Sequence, residues 1–475
     1  MRNRLTLSLC ATILMLSQSF AQSGTNITVS VTGFDGSEAY LAYYYADKQY
    51  ISDTTAVENG TFTFTRDVPL DGGIYLVVLP PANQYFEVII DKDQTFTLST
   101  DTTDLVGNMK VSGSEDNALF YQDILFLAEQ RKKMEALNQA LTEAPEESEE
   151  KRSIQEQIAR LNQAVQSQRS ALVAQHPDML YSKIITSMEE PEIPEEVTEQ
   201  GQQAAFEYYR KEFIDAVDFQ DSRLLRTPVM WNKVTTYLDK LTYQIPDSIN
   251  KSADLMIARS RGNEEIFQYL IINILNKYAK SKIMGMDAVY VHLVEEYYMK
   301  GQAFWADEEQ VNKMAERALA ISPTIIGRKA PNFRVQDSDG NWQHLHGVPG
   351  TFTILYFWDY DCGHCKTVTP QLAEIYPDYI QHDVSLFAVS INGDLDIWKE
   401  KVEEYKLTPA INVQDHTRQS GFDAMYDIRS TPRIFILDEE KNIIAKQISV
   451  DQVRDILDHE LGLAPKSPDA ETEED

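Results

Sequence analysis

Apolar residues first settle into a period of two. Ile27, Val29 and Val31 occupy every second position and polar residues stand between them, the pattern of a strand with one buried face. Asn59-Gly60 then separates Thr54–Val57 from Phe62–Thr65, and this dipeptide favours the tight turn of a hairpin. Three more strands are predicted at Ile74–Leu79, Tyr85–Ile90 and Thr95–Leu98, with breaks at Pro80-Pro81 and Asp91–Asp93. Short strands at this spacing predict a β sandwich or small barrel over residues 22–113.

The period changes at Ser114, a residue type suited to capping a helix. Ile124, Leu127, Met134, Leu137 and Leu141 recur at helical spacing, and so do Ile154, Ile158, Leu161, Val165 and Leu172 after the break at Pro145 and the acidic Glu146–Glu150 cluster. Two such stripes predict an antiparallel helical hairpin packing on itself. Glu189–Glu199 is rich in Pro and Glu and reads as a loop. Helical stripes resume from Gln202 to Ala320, for example Ile266, Leu270, Ile274 and Leu275. Residues 114–320 are therefore expected to form an α-helical middle domain, and no catalytic motif stands in it.

After Ile321 strands and helices alternate. Ile354–Trp358 is an apolar strand, Lys366–Tyr379 a helix, Val384–Ile391 a second buried strand and Asp394–Tyr405 a helix. Ile434–Leu437 and Ile443–Lys446 flank a turn at Glu439–Asn442, and a last helix runs from Val450 to Leu461. This order predicts a C-terminal α/β domain over residues 323–463. An acidic tail follows over 464–475.

Length and charge agree with a multidomain reading. The chain has 475 residues, and one domain per ~150 residues gives about three. The net charge of −31 repels phosphate backbones and anionic lipid, so nucleic acid is not an expected partner. At the amino terminus Arg2 and Arg4 precede an apolar run from Leu5 to Leu16, and Ser19-Phe20-Ala21 offers small residues for cleavage. Residues 1–21 thus read as a cleaved secretory signal peptide, and the mature protein is expected in the periplasm. An uncleaved anchor is the competing reading, although the run is short for a membrane span.

The cysteines are Cys10, Cys362 and Cys365. Cleavage removes Cys10 and leaves a pair three positions apart in a compartment where disulfides form. Cys362-Gly363-His364-Cys365 lies where a strand ends and a helix starts. Free N–H groups and the helix dipole there favour a thiolate, the nucleophile of thiol–disulfide exchange. Cys362 is the expected attacking residue and Cys365, one turn on, the resolving one. A structural disulfide and half of a metal site are the alternatives. His344-Leu345-His346 could add nitrogens to the latter, yet a zinc ribbon needs about four ligands. No metal and no cofactor are expected.

Phe357-Trp358, the Cys362–Cys365 tetrapeptide and Thr431-Pro432 resemble the thioredoxin fold. Gly327-Arg328-Lys329-Ala330-Pro331-Asn332-Phe333 is similar to the lead-in of TlpA/ResA-type thiol–disulfide oxidoreductases. Ala388-Val389-Ser390-Ile391 followed by Trp398 resembles their extra strand and helix. The β region resembles an N-terminal domain of unknown function that precedes such domains in exported proteins of Gram-negative bacteria. The resemblance implies that Pro432 is cis and faces the cysteines, that the Thr431 backbone pairs with substrate, and that Trp358 lines the substrate side. It implies substrates that are protein thiols or disulfides, and a membrane or soluble redox partner. His364 and Gly363 would tune the site, His364 by stabilising the Cys362 thiolate. Two departures stand out. Asp361 replaces the family's Trp and opposes thiolate formation. Tyr356 stands where thioredoxins carry a buried Asp that takes the resolving cysteine's proton, leaving water, Asp359 or Asp361 for that role.

The sequence thus predicts an exported oxidoreductase whose direction, as reductase, oxidase or isomerase, stays open. A binding or assembly protein using the C-terminal domain as a docking module competes with it. A peroxidase would use a single peroxidatic cysteine in a different context. Oligomeric state is not legible.

Overall fold

A computed structural model describes residues 24–415 and 419–463. The expected signal peptide, with Cys10, and the acidic tail lie outside the described residues. The chain divides into two compact units, Met1–Thr235 and Thr236–Asp475. The cut therefore falls inside the region read as one helical domain.

The first unit opens with β1 (Thr25–Thr32), β2 (Glu38–Tyr45), β3 (Lys48–Ala56), β4 (Thr61–Arg66), β5 (Gly73–Leu79), β6 (Gln84–Ile90), β7 (Thr95–Asp101) and β8 (Lys110–Ser112). They form two four-stranded sheets, ordered β4-β1-β7-β8 and β3-β2-β5-β6. Ile27, Val29 and Val31 are buried as their alternation requires.

One sequence expectation fails here. The Asn59-Gly60 turn forms, with φ of 52° and 74°, and Glu58 and Thr61 pair across it. The flanking strands then part: β4 pairs with β1 and β3 with β2. Turn chemistry fixes the local reversal, whereas each strand's apolar face decides which sheet it joins.

Helices follow: α1 (Glu115–Glu143), α2 (Glu149–Gln175), α3 (Leu180–Met188), the single turn α4 (Glu195–Thr198) within the expected loop, α5 (Gln202–Asp215) and α6 (Pro228–Lys240), which spans the cut. Ser114 caps α1 by accepting the Asn117 N–H. Asn117 is itself buried; its side chain accepts from Ile89 N–H at 2.8 Å and donates to Ile89 O at 2.7 Å. It thereby completes the backbone bonding of β6 and holds α1 against that sheet. Buried Asp123 of α1 takes Arg169 of α2 at 3.1 Å and the Tyr181 hydroxyl of α3 at 2.6 Å. A buried carboxylate with two such partners ties three helices together.

The second unit holds α7 (Pro246–Arg259), α8 (Glu264–Ala279), α9 (Asp287–Leu293) and α10 (Glu308–Ile321), then the α/β layer. Its strands are β9 (Arg334–Gln336), β10 (Trp342–His344), β11 (Phe352–Trp358), β12 (Val384–Ser390), β13 (Ile411–Gln414), β14 (Arg433–Leu437) and β15 (Ile443–Lys446). Its helices are α11 (Cys365–Ile375), α12 (Pro377–Ile380), α13 (Leu395–Glu404), α14 (Phe422–Met425) and α15 (Val450–Glu460). The sheet order is β10-β9-β13-β12-β11-β14-β15, with β11 parallel to β12 and antiparallel to β14.

Every residue of β11 is buried, because both faces of this central strand are covered. Ile354, Tyr356 and Trp358 point into one core with Leu372 of α11 and Leu457 of α15. Leu355 and Phe357 point into the other with Phe333, Phe422 and Tyr426. Burial on both sides explains the unbroken apolar run. Among the described residues no helix is long and apolar enough to cross a membrane.

Candidate active site

The sheet delivers its chemistry at the carboxyl end of β11, where open α/β layers commonly bind ligands. After Trp358 the chain turns through Asp359–His364 before α11. Asp359 organises this turn: its carbonyl accepts the Cys362 N–H at 3.2 Å, and its carboxylate accepts the Asp361 N–H at 2.8 Å. Asn392, just past β12, donates to Asp359 at 2.9 Å and to Asp361 at 3.2 Å. Gln414 at the end of β13 in turn bonds the Asn392 carbonyl. Sequence reading missed Asn392 and Gln414. The available signal was their position, polar residues at the carboxyl ends of apolar strands.

Regular helix begins at Cys365 with His364 in the capping position, so Cys362 stands a turn earlier than a residue of the helix proper. Its carbonyl still accepts the Lys366 N–H at 3.2 Å, which continues the helical bonding back to the cysteine.

The two thiols are free and differ in environment: Cys362 is partly exposed and Cys365 buried. The Cys362 thiol donates to the Thr431 carbonyl at 3.2 Å. Burial opposes ionisation of Cys362. Side-chain hydrogen bonding with Thr431 and the backbone groups of Cys365 and His364 outweigh it, and its pKa lies below the usual cysteine value. For Cys365 burial dominates and pushes the thiol up to about 11. The pair is thus polarised into an accessible, acidic sulfur and a buried, protonated one.

Thr431-Pro432 is a cis peptide, set directly before β14, and both residues are half-buried beside Cys362. His364, Gly363 and Asp361 are exposed around the sulfur. Trp358 is a correction. It is fully buried, packed edge-on against Tyr405 with ring centroids 6.1 Å apart, and therefore lies behind the site and away from any substrate surface. Tyr356 is also buried, and its hydroxyl bonds Thr369 Oγ1 of α11 at 2.7 Å. Burial raises its pKa far above the working range, so it replaces the family's buried carboxylate with a group that stays neutral. Among the described residues no cluster of three or more His, Cys, Asp or Glu could hold a metal; His346 instead bonds the Ala330 carbonyl at 2.8 Å.

Residues 326–446 match the AhpC/TSA family. Residues 25–120 and 140–320 match two domains of unknown function, DUF4369 and DUF5106. The C-terminal part of the chain is accordingly a thioredoxin-like domain of the AhpC/TSA type. Over that domain the chain is a homologue of the thiol–disulfide oxidoreductases named ResA. The Bacillus cereus protein is 27% identical over 147 residues, covering 31% of this chain and 76% of that one. The Bacillus anthracis protein is 26% identical over 157 residues, covering 33% and 81%. A crystal structure of a domain of a possible thiol-disulfide isomerase from Cytophaga hutchinsonii is 33% identical and covers 29% of this chain and 95% of its own, with a TM-score of 0.28. The class of enzyme is thiol–disulfide oxidoreductase.

Proposed function

We propose that the protein is exported and exchanges disulfides with protein cysteines through Cys362 and Cys365. The observation that carries this reading is the asymmetry of the two thiols beside cis-Pro432. The Cys362 thiolate attacks a substrate disulfide, forming one S–S bond and releasing one substrate thiolate, which takes up a proton. Cys365 then loses its proton and attacks the Cys362 sulfur. The second substrate thiolate leaves and is protonated, the protein pair is oxidised, and the substrate has gained two electrons. Run backwards, the same steps oxidise a dithiol. A thiol with a pKa near 11 needs help to lose its proton. With Tyr356 neutral, water or the carboxylates of Asp359 and Asp361 supply the acceptor.

The experiment is reduction of insulin disulfides by the full chain with dithiothreitol as electron source. Cys362→Ser removes the rate enhancement, and Cys365→Ser traps the mixed disulfide with substrate. An undiminished rate in Cys362→Ser sinks the reading. Export rests on the Arg2–Ala21 pattern and is tested by sequencing the amino terminus of the protein from the periplasmic fraction. A mature chain beginning at Gln22 is expected, and an intact Met1 overturns it.

A further inference from the structure

A cleft of about 630 Å³ opens within the second unit, between the α8–α10 helices and the loop that carries Pro432. In a chain of net charge −31 it is lined by five cationic side chains, Lys282, Arg317, Arg429, Arg433 and Lys446, against two acidic ones, Asp287 and Asp427. Both acids are already engaged: Asp287 pairs with the buried Lys446, and Asp427 with Arg429 at 2.6 Å. Among the described residues Lys282, Arg317 and Arg433 have no carboxylate partner. The Arg317 guanidinium lies over the Tyr290 ring at 5.3 Å, and Arg433 bonds only Ser430, at 3.2 Å. Uncompensated cations lining a concave surface form a site suited to oxygen anions.

Its position gives the site a role. Arg433 follows Pro432 and is two residues from Thr431, whose carbonyl lies 3.2 Å from the Cys362 sulfur. Two residues span at most ~7 Å, so the cleft begins within a few residues' reach of the disulfide under attack. We propose that this cleft binds acidic residues flanking the target cysteine, and so selects substrate proteins with a carboxylate-rich segment beside the disulfide. The proposal rests on the redox reading of Cys362 and names the substrate class for that site. A positive cleft on a negative body guides such a segment to the sulfur and turns other anionic surfaces of the partner away.

The test uses the full chain and two synthetic peptide disulfides of equal length, one with Glu and Asp beside the cysteine and one with Gln and Asn. Reduction by the dithiol form is followed as kcat/KM. At low ionic strength the acidic peptide is expected to react about tenfold faster, with the ratio falling towards one in concentrated salt and in the Lys282→Gln, Arg317→Gln double variant, whose fold is checked by near-ultraviolet circular dichroism. Equal rates for the two peptides in low salt, or a ratio that the double substitution leaves intact, overturns the proposal. Failure to reduce either peptide counts against the redox reading instead. Deletion of residues 464–475 separates a foreign segment from the chain's own acidic tail. If it alone raises the acidic peptide's rate tenfold, the tail is the occupant and the assignment to a partner falls.

Discussion

The two sheet systems solve burial in different ways. In the first unit β1, β4 and β7 bury alternate residues, so their sheet has one apolar face, whereas β5 of the other sheet is buried at all positions but one. In the second, β11 is buried at every position and both of its faces are lined with core. The first arrangement leaves a polar face along the strand. The second leaves only the strand's end, and the loop there holds Cys362 against Thr431. A strand enclosed on both sides gives the thiol a fixed platform; a strand with a wet face has less to hold it. The contrast teaches that a strand enclosed on both faces can present chemistry only at its end.

The largest expected effect tests which sheet carries activity. Cys362→Ser should abolish disulfide reduction while leaving thermal unfolding of the β-rich unit unchanged, measured by insulin turbidity and calorimetry. Next is packing. Phe357 is fully buried and touches Phe422 and Tyr426, with centroids 5.1 Å away in each case. Phe357→Ala should cost about 3–5 kcal/mol and lower one unfolding transition. Arg169→Met strands the buried Asp123 carboxylate and should cost about 3 kcal/mol, lowering the other. If both substitutions shift a single shared transition, the units do not unfold independently and the contrast between them weakens.

A finer prediction concerns the thiols. Because the Cys362 pKa is lowered and that of Cys365 is pushed up to about 11, alkylation with iodoacetamide should rise with pH through a midpoint below the usual cysteine value and label Cys362 alone. Cys365 should react only as pH approaches its own, higher value. Peptide mapping after labelling checks this, and early modification of Cys365 reverses the assigned roles. The smallest effects belong to the exposed neighbours. His364→Pro removes both the imidazole and the backbone N–H that favours the thiolate, and should raise the Cys362 pKa and lower the reduction potential, by ~30 mV for each ~1.4 kcal/mol of lost thiolate stabilisation. Asp361→Asn should lower that pKa by removing a like charge. Unchanged thiolate absorbance titrations in Asp361→Asn and in His364→Ala, which keeps the backbone N–H, would show that the helix terminus alone sets the sulfur's acidity.

Much of this was legible in the sequence where one physical cause dominates. The apolar run of β11 and the cysteine spacing identify the thioredoxin-like core because enclosure on both faces leaves no polar positions. The Ser114 cap was readable because its bond is local. Strand β2, with three consecutive tyrosines after Leu41 and Ala42, shows no alternation and escaped notice, as did the short β9, β10 and β13. The Asn59-Gly60 turn misled because sheet membership is a tertiary choice. Alternation along β11 could have placed Trp358 inward, since it shares a face with Ile354 and Tyr356. The carboxylate cradle from Asn392 and the split of the helical region have no local signature: both depend on which distant elements meet.

The burial of Cys365 against the exposure of Cys362 also bears on how long the site survives in an oxidising medium. Peroxide reaches Cys362 first and converts it to a sulfenic acid. The thiol of Cys365, three residues on at the start of α11, can condense with that sulfenic acid, forming a disulfide and expelling water, before a further oxidant makes the irreversible sulfinic acid. On the proposed roles, Cys365 doubles as a guard for Cys362. Under repeated peroxide and dithiothreitol cycles, Cys365→Ser should accumulate sulfinic acid at Cys362 by mass spectrometry while the native pair returns to the dithiol.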